Sequence, residues 1–452
     1  MQYNISPDTF VGWLSGYEEC WDKEEAERRA LFVLNGGLEP FRKQIQEDNY
    51  TVAANLTTYT RNKYGFLPQL MQKYYNERVG YKTQMIEAKK ALQTAEGDEK
   101  QRLIKVIAKY NNMQMAKKIQ LNSAYGALGN SWFRWYRKEF AEAITSSGQL
   151  STRWIERKLN QYMNGLFGTD EDWVIACDTD SVYLRLDRLV KHTFGDNPDT
   201  TKVVNFLDKL CKQKLEPFID KCYEELCTYV NGYDQKMVMK RECIANKAIW
   251  TGKKHYILNV FDLEGVRFTE PQLKMQGIEA IRSSTPQVCR DGIKDALKVI
   301  MNESESALQK FIEDYRENFV LLPFEDVAFP RSVSDMDKYI DAAGIYRKGT
   351  PINVKGSLIY NHAVRERKLD KKYELIASGQ KIKYAYCIQP NPLRTSVIAA
   401  PAGSALPPEL NMDNYVDNLK QFDKAFLEPI KTITGAIGWQ VERRATLDAF
   451  FV

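Results

Sequence analysis

Apolar runs at Trp173-Val174-Ile175-Ala176 and Val182-Tyr183-Leu184 bracket the segment Cys177-Asp178-Thr179-Asp180-Ser181. An apolar–acidic–apolar pattern this short predicts a β-hairpin whose tip presents two carboxylates. Upstream the period is helical. A long helix is predicted from Pro68 to about Ala95, with a break at Gly97-Asp98, then a second from about Glu99 to the Asn122 region, ended by Gly126 and Gly129. Two antiparallel helices joined by a short polar turn form a projecting hairpin. Another helix is predicted over 140–163, with Ile144, Leu150, Trp154, Ile155, Leu159 and Tyr162 on its buried stripe, and another over 203–230. Strand signals follow in Met237-Val238-Met239, Ala248-Ile249-Trp250 and Tyr256-Ile257-Leu258-Asn259-Val260. Beyond Ser283-Ser284-Thr285-Pro286 helical patterning returns to about Tyr315, and a terminal helix is predicted around 422–430. Neither repeats nor a low-complexity linker interrupt the chain. The predicted class is α+β: a small antiparallel sheet with helices, a protruding helical hairpin and a helical C-terminal lobe.

At 452 residues and 44% hydrophobic, the chain can bury a core across several subdomains. No apolar run approaches the roughly 18 residues of a membrane helix, and the N-terminus lacks the basic and apolar regions of a signal peptide. Eight cysteines occur without a C-x-x-C spacing, which fits free thiols of a reducing compartment, and three histidines argue against a histidine-based metal site. The net charge of +5 is modest, but it is unevenly spread. Acidic residues crowd Glu18–Glu27, whereas basic residues gather in 61–118 and again in 347–383. A charge run is ordinarily a solvated face. Two basic stretches flanking an acidic site, interleaved with Tyr and Trp, also fit a channel that tracks a phosphate backbone.

Carboxylates crowded at one tip repel each other unless a divalent cation sits among them. Their hard oxygens suit Mg²⁺, which binds one or two carboxylates together with substrate phosphates. That chemistry is phosphoryl or nucleotidyl transfer, although an isolated Asp-x-Asp is ordinarily a solvated turn. In Lys118-Ile119-Gln120-Leu121-Asn122-Ser123-Ala124-Tyr125-Gly126, the residues Lys118, Asn122 and Tyr125 fall at helical spacings and share a face. A cation, an amide and an aromatic ring there suit a triphosphate, a sugar edge and a base. The alternative is a solvated polar face with Tyr125 tucked into the core.

Three motifs in order, Lys118-x-x-x-Asn122-Ser123-x-Tyr125-Gly126, Asp178-Thr179-Asp180-Ser181 and Trp250-Thr251-Gly252-Lys253-Lys254-His255-Tyr256, resemble those of family B DNA polymerases of the T-even phage type. The resemblance runs from Asn4-Ile5-Ser6-Pro7-Asp8-Thr9 to the tail. It implies a right-hand architecture with an antiparallel palm sheet, helical-hairpin fingers and a mostly helical thumb. The implied domains are palm over 1–64, fingers over 65–130, palm again over 131–277 and thumb over 278–452. It further implies that Asp180 and Asp178 are catalytic and bind two Mg²⁺ ions, with Glu242 a further palm carboxylate. Lys118 and Asn122 would bind the incoming dNTP, joined by Arg78 and Lys82 on the facing helix, while Tyr125 and Gly126 border the nascent base pair. Lys253, Lys254, Tyr256 and Arg282 would meet primer–template DNA. His255 stands where the family usually has Arg.

The family's first carboxylate motif, D-x-x-S-L-Y-P-S, does not occur in these residues; Ser357-Leu358-Ile359-Tyr360 superficially resembles it and reads as an apolar strand. The expectation is therefore the C-terminal subunit of a split polymerase. An N-terminal polymerase/exonuclease chain would supply the other Asp, docking on a large apolar interface near residues 1–15 and along the palm sheet. Leu447, Phe450 and Phe451 resemble a sliding-clamp-binding tail, and the implied setting is the cytoplasm of an infected bacterial host, with no membrane partner. The competing reading is a non-catalytic DNA-binding and clamp-tethering module. Cys177 reads as a packing residue.

Overall fold

The computed structural model describes residues 1–18, 22–196, 198–341 and 345–443, and these divide into two compact units. The first comprises 1–244 with 261–268; the second comprises 245–260 with 269–452.

In the first unit, β1 (Phe10–Trp13), α1 (Lys23–Leu34), α2 (Arg42–Glu47), β2 (Tyr50–Val52) and β3 (Thr57–Thr60) form a helix-backed antiparallel sheet of order β1-β3-β2. Asp22 starts α1 by accepting the Glu24 N–H at 3.0 Å. Near the N-terminus, Tyr3, Ile5 and Leu14 are buried in the unit's own core, whereas Val11 on the edge strand β1 is 46% exposed, so only part of the apolar surface expected near residues 1–15 is accessible. Asn4 explains their burial, since its amide donates to the carbonyls of Thr60 and Lys63, both at 2.8 Å, and accepts the Gly65 N–H at 2.9 Å. That knot fixes where the next helix begins.

The predicted helical arm is α3 (Phe66–Leu92) and α4 (Gly97–Leu128), antiparallel and largely exposed. Few apolar residues are available to hold it, so polar staples contribute. Lys117 pairs with Glu77 at 2.6 Å and lies 4.6 Å over the Tyr74 ring, and Tyr81 stacks on Tyr110. Next, α5 (Lys138–Phe167) buries Phe140, Ala143, Leu150, Ile155, Leu159 and Met163 along one stripe, with the Phe140 ring packed against Phe10 and Tyr59. It supports the acidic hairpin, β4 (Val174–Asp178) and β5 (Ser181–Leu184).

The helix expected over 203–230 is divided. After α6 (Asp187–Phe194) comes α7 (Thr200–Leu210), a π turn at 211–215, and α8 (Glu216–Tyr229). Pro217 sits in the first turn of α8 and cannot donate to the ladder, and the chain widens just before it. Met237-Val238-Met239 is not a strand. Gln235 takes both backbone groups of Met237, donating to its carbonyl at 2.8 Å and accepting its N–H at 2.5 Å, so none is left for a ladder.

The chain passes between the units in a sheet of order β6-β7-β8, formed by β6 (Cys243–Gly252), β7 (His255–Leu263) and β8 (Val266–Gln276). The second unit then adds α9 (Gln287–Asn302), α10 (Glu305–Phe319), α11 (Phe324–Val327), β9 (Phe329–Ser332), α12 (Ile352–Glu366), β10 (Lys381–Tyr386), β11 (Val397–Pro401), α13 (Asn418–Phe422) and α14 (Glu428–Gly435). It is not simply helical, because β11-β10-β9 form an antiparallel sheet inside its core. Ser357-Leu358-Ile359-Tyr360 belongs to α12 rather than to a strand. That helix is buried on nearly every side, and its Gly356 packs so closely on β11 that a Cβ would lie 3.2 Å from the Ile398 carbonyl carbon. A helix buried all round loses the periodicity that distinguishes it from a strand.

Within the first unit, Arg241 is held by a four-charge clamp. Its guanidinium donates to Asp262 and, at 2.5 Å, to Asp208, while its N–H reaches Glu216 at 3.0 Å. Arg267 closes the set at 3.2 Å from Asp208 and 2.7 Å from Asp262, the latter at an angle that makes an ion pair rather than a hydrogen bond. Burial raises the Asp208 pKa, but hydrogen bonds from Lys212 and Arg241 more than offset it and hold the carboxyl below its usual value. Its stabilising contribution is therefore complete above the unfolded carboxylate range and lost as pH falls through the lower native pKa. Asp262 is fully buried, so removing its partner leaves a stranded charge. Arg241→Ala is expected to cost about 3–5 kcal/mol of unfolding free energy, measured by urea denaturation. The variant should also show a shallower stability loss below about pH 4 than the parent.

Candidate active site

Asp178 pairs with Ser181 across the hairpin, leaving Thr179 and Asp180 as its tip. Thr179 has φ of +55°, a conformation β-branched residues rarely adopt, and the Asp180 N–H donates back to the Asp178 carbonyl at 2.6 Å. An i to i+2 bond around a positive-φ residue is the signature of a strained γ-turn. The surroundings hold it in place. Thr152 on α5 donates to the Thr179 carbonyl at 2.9 Å, and the Ser181 hydroxyl donates to the Asp178 carbonyl at 3.1 Å. Asp178 is half-buried and accepts from the Thr179 hydroxyl at 3.1 Å. Asp180 is exposed, and no side chain among the described residues forms a hydrogen bond or ion pair with its carboxylate. Behind it, burial raises the Tyr223 phenol pKa and the Asp180 charge raises it further. The Cys177 thiol is pushed up to about 11, first by desolvation and then by Glu156, so it is protonated at neutral pH.

The cationic residues lie on the α3–α4 arm of the same unit. The Glu77–Lys117 staple ties together the turns of the two antiparallel helices that carry Arg78 and Lys118. Lys118, Asn122, Tyr125 and Gly126 are all exposed on α4, so Tyr125 is not a core residue. Arg78 is half-buried, and its Nε is a buried donor without an acceptor. An orphaned guanidinium donor costs free energy unless an anion fills the position. Lys82, one turn on, is instead paired with Glu264.

Glu242 is exposed beside the Arg241 clamp, and its carbonyl accepts the Glu264 N–H at 2.6 Å. Among the described residues no three His, Cys, Asp or Glu side chains converge on a possible metal position, so Glu242 does not join Asp178 and Asp180 in such a group. The pair of adjacent carboxylates, one of them exposed and without a hydrogen-bond donor, fits a hard divalent cation that keeps several waters.

In the second unit, Lys253 and Lys254 are exposed on the β6–β7 turn, with Lys254 at φ +62°. Gly277 packs beneath at φ +69°, and a Cβ there would come 2.3 Å from the Lys254 carbonyl oxygen. Arg282 joins them, its Nε donating to the Gly277 carbonyl and its Nη2 lying beside His255 Nε2, both at 2.8 Å. Tyr256 is buried to 6% exposure near Trp250, which makes it a strut under the turn rather than part of its surface. Leu447, Phe450 and Phe451 lie outside the described residues.

The loop 130–137, Asn-Ser-Trp-Phe-Arg-Trp-Tyr-Arg, lies outside the three motifs, yet its interspersed aromatic and basic residues are a signal for nucleic-acid contact. Trp135 is anchored on Phe66 and Phe133, while Trp132 stands 94% exposed.

Residues 1–428 match the model of DNA polymerase family B. The chain is 35% identical to the DNA-directed DNA polymerase of Enterobacteria phage T4, covering 75% of this chain and 39% of that protein. It is 32% identical to the DNA-directed DNA polymerase of Escherichia phage RB69, covering 89% of this chain and 50% of that protein. A DNA polymerase beta of African swine fever virus is 24% identical over 64% of the chain. The chain spans half the length or less of these relatives. None of the helices among the described residues is long and apolar enough to cross a membrane.

Proposed function

The chain belongs to DNA polymerase family B, and we propose that it carries the nucleotide-handling part of a DNA-templated DNA polymerase that extends a primer 3′ end with dNTPs. The observation that carries the reading is the strained tip, which holds Asp178 and an unpaired Asp180 side by side at the surface. Strain of about 1–3 kcal/mol kept at one residue is a mark of function. These carboxylates would hold divalent cations, and bound Mg²⁺ supplies charge neutralisation at the attacking hydroxyl and the departing pyrophosphate. Arg78 offers its orphaned Nε to a triphosphate oxygen, with Lys118 and Asn122 across the arm and Lys82 one turn further on. Tyr125 and Gly126 present a ring and bare backbone to the nascent base pair. Since phosphoryl transfer is mostly positioning and electrostatics, fixed cations on two stapled helices suit it. Lys253, Lys254 and Arg282 would track duplex phosphates, and Trp132 would stack an unpaired template base. Leu447, Phe450 and Phe451 would anchor a sliding clamp. The reading needs a further catalytic carboxylate, from the same polypeptide or from a polymerase/exonuclease partner chain.

In a polymerase assembly containing this chain, Asp180→Asn should lower primer extension by at least roughly 10³-fold while duplex binding persists. Undiminished extension would instead favour a DNA-binding and clamp-tethering module. Anisotropy titrations against salt separate the two DNA contacts. Arg282→Ala should reduce the slope of log affinity against log salt on duplex by about 1. Trp132→Ala should weaken binding to a single-stranded overhang by about 1–3 kcal/mol with little change in that slope, and equal effects on blunt duplex would refute the stacking role.

A further inference from the structure

The β7–β8 turn is docked on one face of α3. Its two residues, Glu264 and Gly265, are both left-handed, at φ +54° and +82°. Three α3-side residues reach it. Lys82 pairs with the Glu264 carboxylate, the Lys90 ammonium lies where a Cβ on Gly265 would come within 3.2 Å, and Gln93 donates to the Arg267 carbonyl at 2.6 Å. Positions 82, 90 and 93 recur on one side of a helix. From its other side the turn is fixed, since the Glu264 N–H donates to the Glu242 carbonyl at 2.6 Å and the Gly265 N–H donates to Asp262 at 2.9 Å. Asp262 is itself locked into the Arg241 clamp. The turn is thus a rigid post on which the helix rests.

The two α3 cations assigned to the triphosphate differ in one respect. Arg78 keeps a donor without an acceptor, whereas Lys82 is neutralised by a carboxylate of the protein. We propose that Glu264 is a resident counter-ion that competes with the nucleotide triphosphate for Lys82, and so sets how strongly a nucleotide must bind before α3 leaves its post. This rests on the reading of Lys82 as a triphosphate ligand. The paired side chains are 37% and 26% exposed, so the contact is weak, and a weak contact suits a competitor. A site held in its unavailable form raises the apparent dissociation constant in inverse proportion to the available fraction. A triphosphate also gripped by Arg78 and Lys118 outcompetes a single carboxylate.

Single-turnover incorporation by the assembled polymerase at varied dNTP tests this with Glu264→Gln, Lys82→Gln and the double variant. Glu264→Gln is expected to lower the apparent nucleotide Kd by about three- to fivefold. In the Lys82→Gln background it should leave the Kd unchanged. A purely structural contact predicts the opposite, a loosened α3 and a raised Kd. An unchanged or raised Kd, or the same decrease without Lys82, overturns the proposal. Amide exchange over residues 79–93 in the nucleotide-free chain gives a second readout that needs no activity, since Glu264→Gln should accelerate exchange there and unaltered exchange refutes the latch. If neither Lys82→Gln nor Asp180→Asn changes incorporation, the polymerase reading itself fails. If both do and Glu264→Gln does not, only the latch fails.

Discussion

The first unit is arranged to hold a hairpin tip that strand pairing alone cannot fix. Thr179, between the carboxylates Asp178 and Asp180, keeps a left-handed φ of +55° that a β-branched residue rarely adopts. That strain cannot be absorbed locally, because four-residue and five-residue strands carry too little ladder. The hairpin therefore depends on α5, whose stripe of buried residues lies in the unit's main core and whose Thr152 reaches the Thr179 carbonyl. Tyr223 of α8, buried behind Asp180, closes the other side. The tip is thus as well fixed as the core beneath it.

The ionic groups of that unit sort by how completely they are paired. In the Arg241–Asp208–Asp262–Arg267 set every charge faces an opposite one, and Asp262 is fully buried. Glu77–Lys117 is a partly exposed staple that keeps two long helices in register. Lys82–Glu264 is more exposed on the lysine side. Asp180 and the Nε of Arg78 have no hydrogen-bond partner within the described chain. Buried donors without an acceptor are not confined to Arg78, since the Nε of Arg241 in the clamp is another, so what sets Arg78 apart is its place on the cationic arm.

Much of this was legible in the residue pattern, where the pattern was long or self-contained. The helical arm and the acidic hairpin follow from periodicity alone, and the α4 motif residues share a face because helical spacing requires it. What failed to show depends on tertiary context. The strands β1 to β3 have three or four residues and carry threonines in the core, too short for a period of two to be read. Gln235 removed a strand by occupying the backbone it would have used, and α12 lost its helical stripe by being buried all round. The same proline effect seen at Pro217 recurs at Pro429, each following a Leu-Glu pair and a five-residue π turn, yet neither proline ends the helical run. Site contacts across long separations were likewise hidden. Lys82 and Glu264 are 182 residues apart, and only the geometry of a two-residue turn brings them together.

The β6–β7 turn draws a cation from a distant part of the chain, since the Arg282 guanidinium lies 2.8 Å from His255 Nε2. Its donation to the Gly277 carbonyl holds it there, and the absence of a Cβ at Gly277 lets that backbone approach the Lys254 carbonyl. Lys254, Gly277 and Arg282 therefore operate as one unit, because a side chain at 277 would displace the backbone on which both cations depend. The turn therefore carries its guanidinium on Gly277 and His255, with Lys253 and Lys254 exposed beside it.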